Sequence, residues 1–351
     1  MVYSASCYTA NIQYNDSMFF MKKQIVGLVI GLIFMVLIMF FDYHKIERYK
    51  WIILGVSVLL LVLVFIPGIG VANNGARRWI RLPGFTIQPS EIAKFAFVIW
   101  ASSYLSKNFD YIKTFKGILP VLAVGGVYCL LIILEPNMSI TMCMAITMVV
   151  MLFVGGIRAK HFAMLGSVGL MAVPALIIAE PYRLNRLVAF LNPWLNPKTE
   201  GYQLIQSLYS LGAGGLFGVG LFNSRQKYMF LPFAESDFIF SIIGEELGLF
   251  GCIILMILFG IIIFEGIKIA MHAVDRFGCY LATGITTIIA SQVLINIAVV
   301  TGSIPPTGVP LPFISCGGTA LVVFMAGIGV LLNIDRQSKM NVMDFNGNVV
   351  K

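Results

Sequence analysis

The stretch FAESDFIFSIIGEELGLF, Phe233–Phe250, opens an apolar run that continues to Phe264. From Phe238 onward it is long enough to cross roughly 30 Å of hydrocarbon, with Glu245 and Glu246 inside the crossing. Comparable runs lie at Gln24–Phe41, Trp51–Gly70, Ile92–Ser106, Gly117–Leu134, Ser139–Val154, Phe162–Ala179, Cys279–Val300 and Phe313–Leu332. Hydrophobic residues make up 59% of the chain and charged ones 11%, against roughly 25% charged in a soluble domain. The runs are too long and unbroken for the roughly ten-residue alternating strands of an outer-membrane barrel. The expectation is an all-α polytopic membrane helix bundle with nine visible spans, forming one membrane domain over residues 1–351.

The net charge of +8 does not require nucleic acid, because the basic residues sit in short loops beside the spans, where the positive-inside rule places them. Lys45, Arg48 and Lys50 share one loop; Lys107, Lys113 and Lys116, Arg158 and Lys160, Lys268 and Arg276, and Arg336 and Lys339 mark others. These loops are expected in the cytoplasm, as is the C-terminus. EPNMS and TGSIPPTGVPLP, which carry no Lys or Arg, then face outside. By the same parity Met1–Lys23 lies outside. The loop VANNGARRWIRLPGFTIQPSEIAK breaks the pattern: it faces outside by parity yet holds Arg77, Arg78 and Arg81. A broken rule of this kind marks a functional site. An anionic ligand would explain it, and contacts to lipid headgroups are the plainer alternative.

The six cysteines form no CxxC pair, so neither a disulfide framework nor a zinc site is indicated. All three histidines, His44, His161 and His272, fall in cytoplasmic loops, so a base on the outer face must be a carboxylate. The outer candidates are Asp16, Glu91, Glu135, Glu180, Glu200, Glu235 and Asp237. Asp237 stands where a long outer loop meets a helix N-terminus, a place that favours anions; the plainer alternative is a helix cap by Ser236 or Asp237. Ionisable groups inside a bilayer are costly and face a cavity or a partner. For Glu245 and Glu246 that leaves structural pairing with Lys94 or contact with substrate. Glu91 and Lys94, three apart, share one helix face.

The segment 180–237 is a large outer loop in which apolar residues alternate with glycines, with NPWLNP at its front. That composition suits interfacial or re-entrant helices. A greasy loop over a polar cavity calls for a substrate with a lipid tail and a polar head. GVPLPFISCGG reads either as a Pro/Gly helix break or as a substrate contact.

Five stretches, taken in order, resemble the SEDS family (shape, elongation, division and sporulation), the peptidoglycan glycosyltransferases of the FtsW, RodA and SpoVE type: NGARRWIRLPGFTIQPSEIAK, EPYRLNRLVAFLNPW, GYQLIQSLYSLGAGGLFGVGLFNSRQKYMFLP, SDFIFSIIGEELG and PPTGVPLPFISCGGTALVVFMAGIG. The EPYR and NSRQKYMFLP forms look more like FtsW and its sporulation relative than like RodA. The family commonly has His-Thr-Asp where this chain has Glu235-Ser236-Asp237, Gln-Pro-Asp at Glu135-Pro136-Asn137, and Tyr at Cys316. The aspartate itself is retained. The family fold has ten helices, and MVYSASCYTA looks like the outer end of the first, so a further helix is expected upstream.

The resemblance implies extension of glycan strands from lipid II at the outer face of the bacterial cytoplasmic membrane, in division or sporulation, with a lipid II flippase or transporter as the alternative. It implies Asp237 as general base for the acceptor hydroxyl and Arg77, Arg78 and Lys94 at the diphosphate, with Glu91 orienting Lys94. Arg183 and Lys227 would contact phosphate or the peptide stem, and Glu245 would line the substrate cavity. No cofactor is required; a divalent cation, Mg2+ or Mn2+, bridging diphosphate and a carboxylate is compatible with the chemistry, but no ligand cluster demands it. The implied partners are a class B penicillin-binding transpeptidase and other divisome proteins.

Overall fold

The computed structural model describes residues 1–73, 76–82, 85–178 and 181–345. In chain order the helices are α1 (Val2–Tyr14), α2 (Phe19–Phe40), α3 (Tyr43–Arg48), α4 (Lys50–Leu63), α5 (Pro89–Lys107), α6 (Phe115–Leu134), α7 (Met138–Val154), α8 (Ala159–Ile178), α9 (Pro181–Leu191), α10 (Tyr202–Gly214), α11 (Ile239–His272), α12 (Arg276–Val300) and α13 (Gly318–Phe345). Every expected span falls on one of them, and α2, α6, α11, α12 and α13 are long and apolar enough to cross a membrane unaided. The bundle is all-α, as the periodicity required.

Three boundaries differ from expectation. The span expected over Trp51–Gly70 stops as helix at Leu63, because Pro67 and Gly68 follow and β1 (Gly70–Asn73) begins. The span expected from Phe313 begins as helix only at Gly318, the preceding residues being folded as a non-helical strap. The third difference is a break inside α11 at Gly248, with φ 70° and ψ −169°.

The chain gathers into two compact units, each discontinuous in sequence. One contains Val26–Arg158, Ile261–Ser291 and Gly318–Lys351. Its centre is α5, which packs on α4, α6, α7 and α13 and buries Ala93, Ala96, Phe97, Val98, Ala101 and Leu105. Small residues on α5 allow its neighbours to come close, the usual device where lipid offers no hydrophobic drive between helices. This unit also carries the strands among the described residues. β1, β2 (Ala76–Leu82) and β3 (Phe85–Ile87) form an antiparallel sheet with Ile80 opposite Ile87 and Arg81 opposite Thr86. The strands were missed in the sequence, although Asn-Gly between short alternating runs is a hairpin signal.

The other unit contains Met1–Ile25, Ala159–Gly260 and Gln292–Gly317. It holds α1, α8, α9, α10, the first part of α11, the end of α12 and the strap. The segment between residues 181 and 237 contains two short α-helices, α9 and α10. Its glycine-rich turn supplies what the broken α11 lacks. The amides of Val219 and Gly220 donate to the carbonyls of Glu245 and Glu246 at 2.9 and 3.1 Å, and the carbonyls of Gly215 and Leu216 accept from Leu249 and Phe250 at 2.9 and 3.1 Å. A helix can break at membrane depth only where protein re-satisfies the freed backbone groups, and these four bonds do so.

Candidate functional site

In the unit holding the start of α11, the approach to Asp237 is fixed residue by residue. Helix begins at Ile239, so Asp237 precedes the cap position. The carbonyl of Glu235 accepts from the amide of Cys316 at 2.9 Å. The carbonyl of Ser236 accepts from the Ser315 hydroxyl at 2.5 Å, and that of Asp237 from Asn296 Nδ2 at 2.8 Å. Three successive carbonyls are thereby held by the 296–316 region. The Asp237 carboxylate lies against Gly308: a methyl placed on that glycine would sit 2.8 Å from Asp237 Oδ2. Burial pushes the nearby Glu235 carboxyl up from its ordinary range.

Further along α11 the two intramembrane glutamates have separate partners. Glu245 accepts from Ser224 Oγ at 2.5 Å, Ser210 Oγ at 3.2 Å and the Arg225 amide at 2.9 Å. It also borders a cavity of about 430 Å³ with Ala213, Val219, Asn223 and Arg225. Glu246 accepts from Ser4 Oγ of α1 at 2.6 Å and pairs with Lys227 Nζ at 3.3 Å, both side chains nearly inaccessible. Lys227 Nζ also donates to the carbonyl of Phe222 at 2.6 Å. The ion partner of Glu246 is therefore Lys227 and not Lys94, because the loop carrying Lys227 folds back along α11. Each carboxylate ties one part of that loop to the helix, which answers why a greasy segment carries them.

The residues expected at the diphosphate lie in the other unit. Glu91 and Lys94 form an ion pair of 2.9 Å, both fully buried on α5, with Lys94 Nζ 5.1 Å from the centre of the Phe324 ring. On β2 the period of two separates the arginines. Arg77 and Arg81 are exposed. Arg78, on the face of Ile80, donates from Nε to the carbonyl of Glu135 at 3.1 Å and from Nη2 to that of Pro136. The Glu135 side chain is fully buried, and burial pushes its carboxyl up to about 8 against the pull of Arg78. Glu180 and the side chain of Arg183 lie outside the described residues. Among the described residues no group of three or more His, Cys, Asp or Glu could hold a metal ion.

A model of the FtsW/RodA/SpoVE family, described as cell cycle protein, matches residues 1–340. The chain belongs to this family. Stage V sporulation protein E of Bacillus subtilis (strain 168) is 44% identical over 340 residues, covering 97% of this chain and 93% of that one. A probable peptidoglycan glycosyltransferase FtsW of Geobacter sp. (strain M18) is 39% identical with the same coverage. Among solved structures, a chain from a peptidoglycan synthase complex that coordinates polymerization and crosslinking superposes with a TM-score of 0.75 at 27% identity, covering 96% of this chain and 95% of that one. The Thermus thermophilus rod shape determining protein RodA shares the fold, with a TM-score of 0.67 at 24% identity over 96% of this chain and 94% of that one.

The candidate site residues named from the sequence were those with charge. Gly308 and Ser315 lie in the GVPLPFISCGG segment, singled out only as a helix break or a substrate contact, and Asn296, which donates to the Asp237 carbonyl, was not reached. Asn296 lies four residues after Gln292 on α12, so the two share one helix face, and a pair of buried amides in a membrane helix is the signal that could have pointed to it.

Proposed function

We propose that this multi-pass membrane protein polymerises glycan strands from lipid II at the outer face of the cytoplasmic membrane. The observation that carries the reading is Asp237, a carboxylate fixed through its own backbone and its two predecessors, in a chain about 40% identical to peptidoglycan glycosyltransferases over nearly its whole length. Asp237 takes the proton from the acceptor sugar hydroxyl as that oxygen attacks the anomeric carbon of the donor, a contribution of roughly a hundred- to ten-thousand-fold. Polyprenyl diphosphate departs as the glycosidic bond forms, and cations stabilise the departing charge. The exposure of Arg77 supports a direct contact with phosphate. Arg78 shapes the surface beside it through the Glu135 and Pro136 carbonyls, and the Glu91–Lys94 pair contributes from within α5. Lys227 and Glu245 hold the outer loop over the substrate, with Glu245 facing the cavity beside Arg225. Arg183 is assigned to the phosphate or peptide stem on the resemblance alone.

The basic residues of the short loops support a cytoplasmic C-terminus and an extracytoplasmic site. A divalent cation at the diphosphate is compatible with this scheme. The flippase alternative is not favoured, because the curated relatives carry glycosyltransferase names. The relation to a synthase complex that couples polymerization to crosslinking supports a class B penicillin-binding transpeptidase as partner, with other divisome proteins. The test is glycan synthesis by the purified protein from purified lipid II, with and without that partner. Polymer in the presence of the partner is expected; lipid II redistribution across vesicles without polymer would return the flippase.

A further inference from the structure

The strap from Pro305 to Gly317 is held far more tightly than a connection between two helices requires. Arg186 donates to the carbonyl of Pro306 at 2.8 Å, Asn296 Nδ2 to that of Val309 at 2.7 Å, and Gln292 Nε2 to that of Pro310 at 3.0 Å. The amide of Leu311 donates to Ser315 Oγ at 2.7 Å, and the same hydroxyl donates on to Ser236. Gln292, Asn296 and Ser315 are all buried. Three carbonyls within five residues thus have side-chain donors, in a stretch where Pro305, Pro306, Pro310 and Pro312 already limit the backbone.

Within this strap Gly308 has no backbone reason to be glycine. It is not among the glycines with positive φ, whereas Gly302 at the start of the same connection is, with φ 69°. An L-residue could adopt its conformation. Among the described residues, and apart from Thr307 and Val309 on either side of it in the chain, the heavy atoms within 4 Å of an added Cβ would be Asp237 Oδ2 at 2.8 Å and Asp237 Cγ at 3.7 Å. The space left by the missing side chain belongs to the carboxylate. Asn296 then links the two sides with one amide group: Nδ2 donates both to the carbonyl of Asp237 and to that of Val309, the residue after Gly308.

We propose that Gly308 is a positioning residue for Asp237: its missing side chain forms the slot that holds the carboxylate, and Asn296 locks the strap and the carboxylate-bearing backbone together. The proposal rests on Asp237 being the base and gives the GVPLPFISCGG segment a task in the same reaction. A Cβ at 308 pushes the carboxylate away by several tenths of an ångström or more. A misplacement of about 1 Å costs around a hundredfold when reacting geometry is tight. The added methyl also strips water from the carboxylate and disfavours its charged form.

The experiment is steady-state polymerisation from lipid II by the full-length Gly308→Ala protein, with its pH profile and thermal unfolding in detergent. The expected result is a kcat lower by around a hundredfold, KM for lipid II within about twofold of the parent, an acid limb moved to higher pH, and an unfolding midpoint close to the parent's. Parental kcat overturns the proposal, and so does a loss of kcat with an unmoved acid limb and a lowered midpoint. Should Gly308→Ala fail to accumulate, Asn296→Ala carries the test under the same criteria for kcat and KM. Failure of the underlying reading is distinguishable: Asp237→Asn at the parental rate removes the base itself, whereas inactive Asp237→Asn beside fully active Gly308→Ala removes only the slot.

Discussion

Glu135 shows what a single buried group does to stability. Its carboxyl lies inside the protein with neither oxygen hydrogen-bonded among the described residues, and burial raises its pKa from 4.5 to about 8. Between those values the folded state holds a proton that the unfolded state releases, so stability falls as pH rises through that window. Glu135→Gln is expected to flatten that dependence and to raise stability above pH 8, by on the order of 1–3 kcal/mol for a buried polar group no longer asked to ionise. Thermal unfolding in detergent from pH 5 to 9 measures it; an unchanged slope would place the carboxyl in solvent. The Lys227–Glu246 pair makes the opposite point. Lys227→Met leaves Glu246 buried with Ser4 as its remaining partner and is expected to cost about 3–5 kcal/mol, read as a lower unfolding midpoint, whereas the joint Lys227→Met, Glu246→Gln exchange recovers most of it. At Arg77, exposed on β2, Arg77→Ala should raise KM for lipid II more than Arg77→Lys does, because ammonium retains charge but loses the bidentate fork. Equal KM in both variants would reduce Arg77 to a headgroup contact.

At the level of elements, the broken α11 governs the architecture around the site. Gly248 occupies a region of φ/ψ that other residues reach only at a cost of order 1–3 kcal/mol, and an added Cβ would meet the backbone of Leu216 and Gly218. Gly248→Ala is expected to separate the 215–220 turn from the helix and to sharply reduce folded protein recovered from membranes. Normal recovery, with unchanged protection of the Val219 and Gly220 amides from hydrogen exchange, would contradict this. The helices of the bundle were legible in the sequence because long apolar runs leave the backbone no other solution in lipid. The glycines set among apolar residues between 201 and 232 likewise pointed to structure in that segment, where α10 and the 215–220 turn lie. The break at Gly248 was not legible, since one glycine in an apolar run reads as a tolerated interruption until the 215–220 turn is seen to satisfy its backbone. The small sheet was hidden for a related reason: its strands are short, and the arginines of β2 read first as charge. Charge likewise led to Asp237, while Gly308 acts by absence, which no pattern of residue types displays.

On the scale of the whole molecule, two compact units divide the residues assigned to the reaction. Asp237 and the carboxylates that hold the 224–227 loop belong to one, and Arg77, Arg78, Glu91 and Lys94 to the other. The proton transfer and the stabilisation of diphosphate are thus assigned to different parts of the chain. Everything in that scheme depends on Asp237 acting as a base and not only as part of the junction between loop and helix. Asp237→Asn separates the two, since the amide nearly preserves volume and can still accept a hydrogen bond but cannot take the hydroxyl proton. A residue whose side chain only helps to hold that junction would survive the exchange with roughly 1 kcal/mol lost. The decisive measurement is polymer formed from purified lipid II by well-folded Asp237→Asn protein beside the parent, each with the proposed transpeptidase partner. A fall of at least about a hundredfold with an unchanged unfolding midpoint is the expected result, and polymerisation at the parental rate would contradict it.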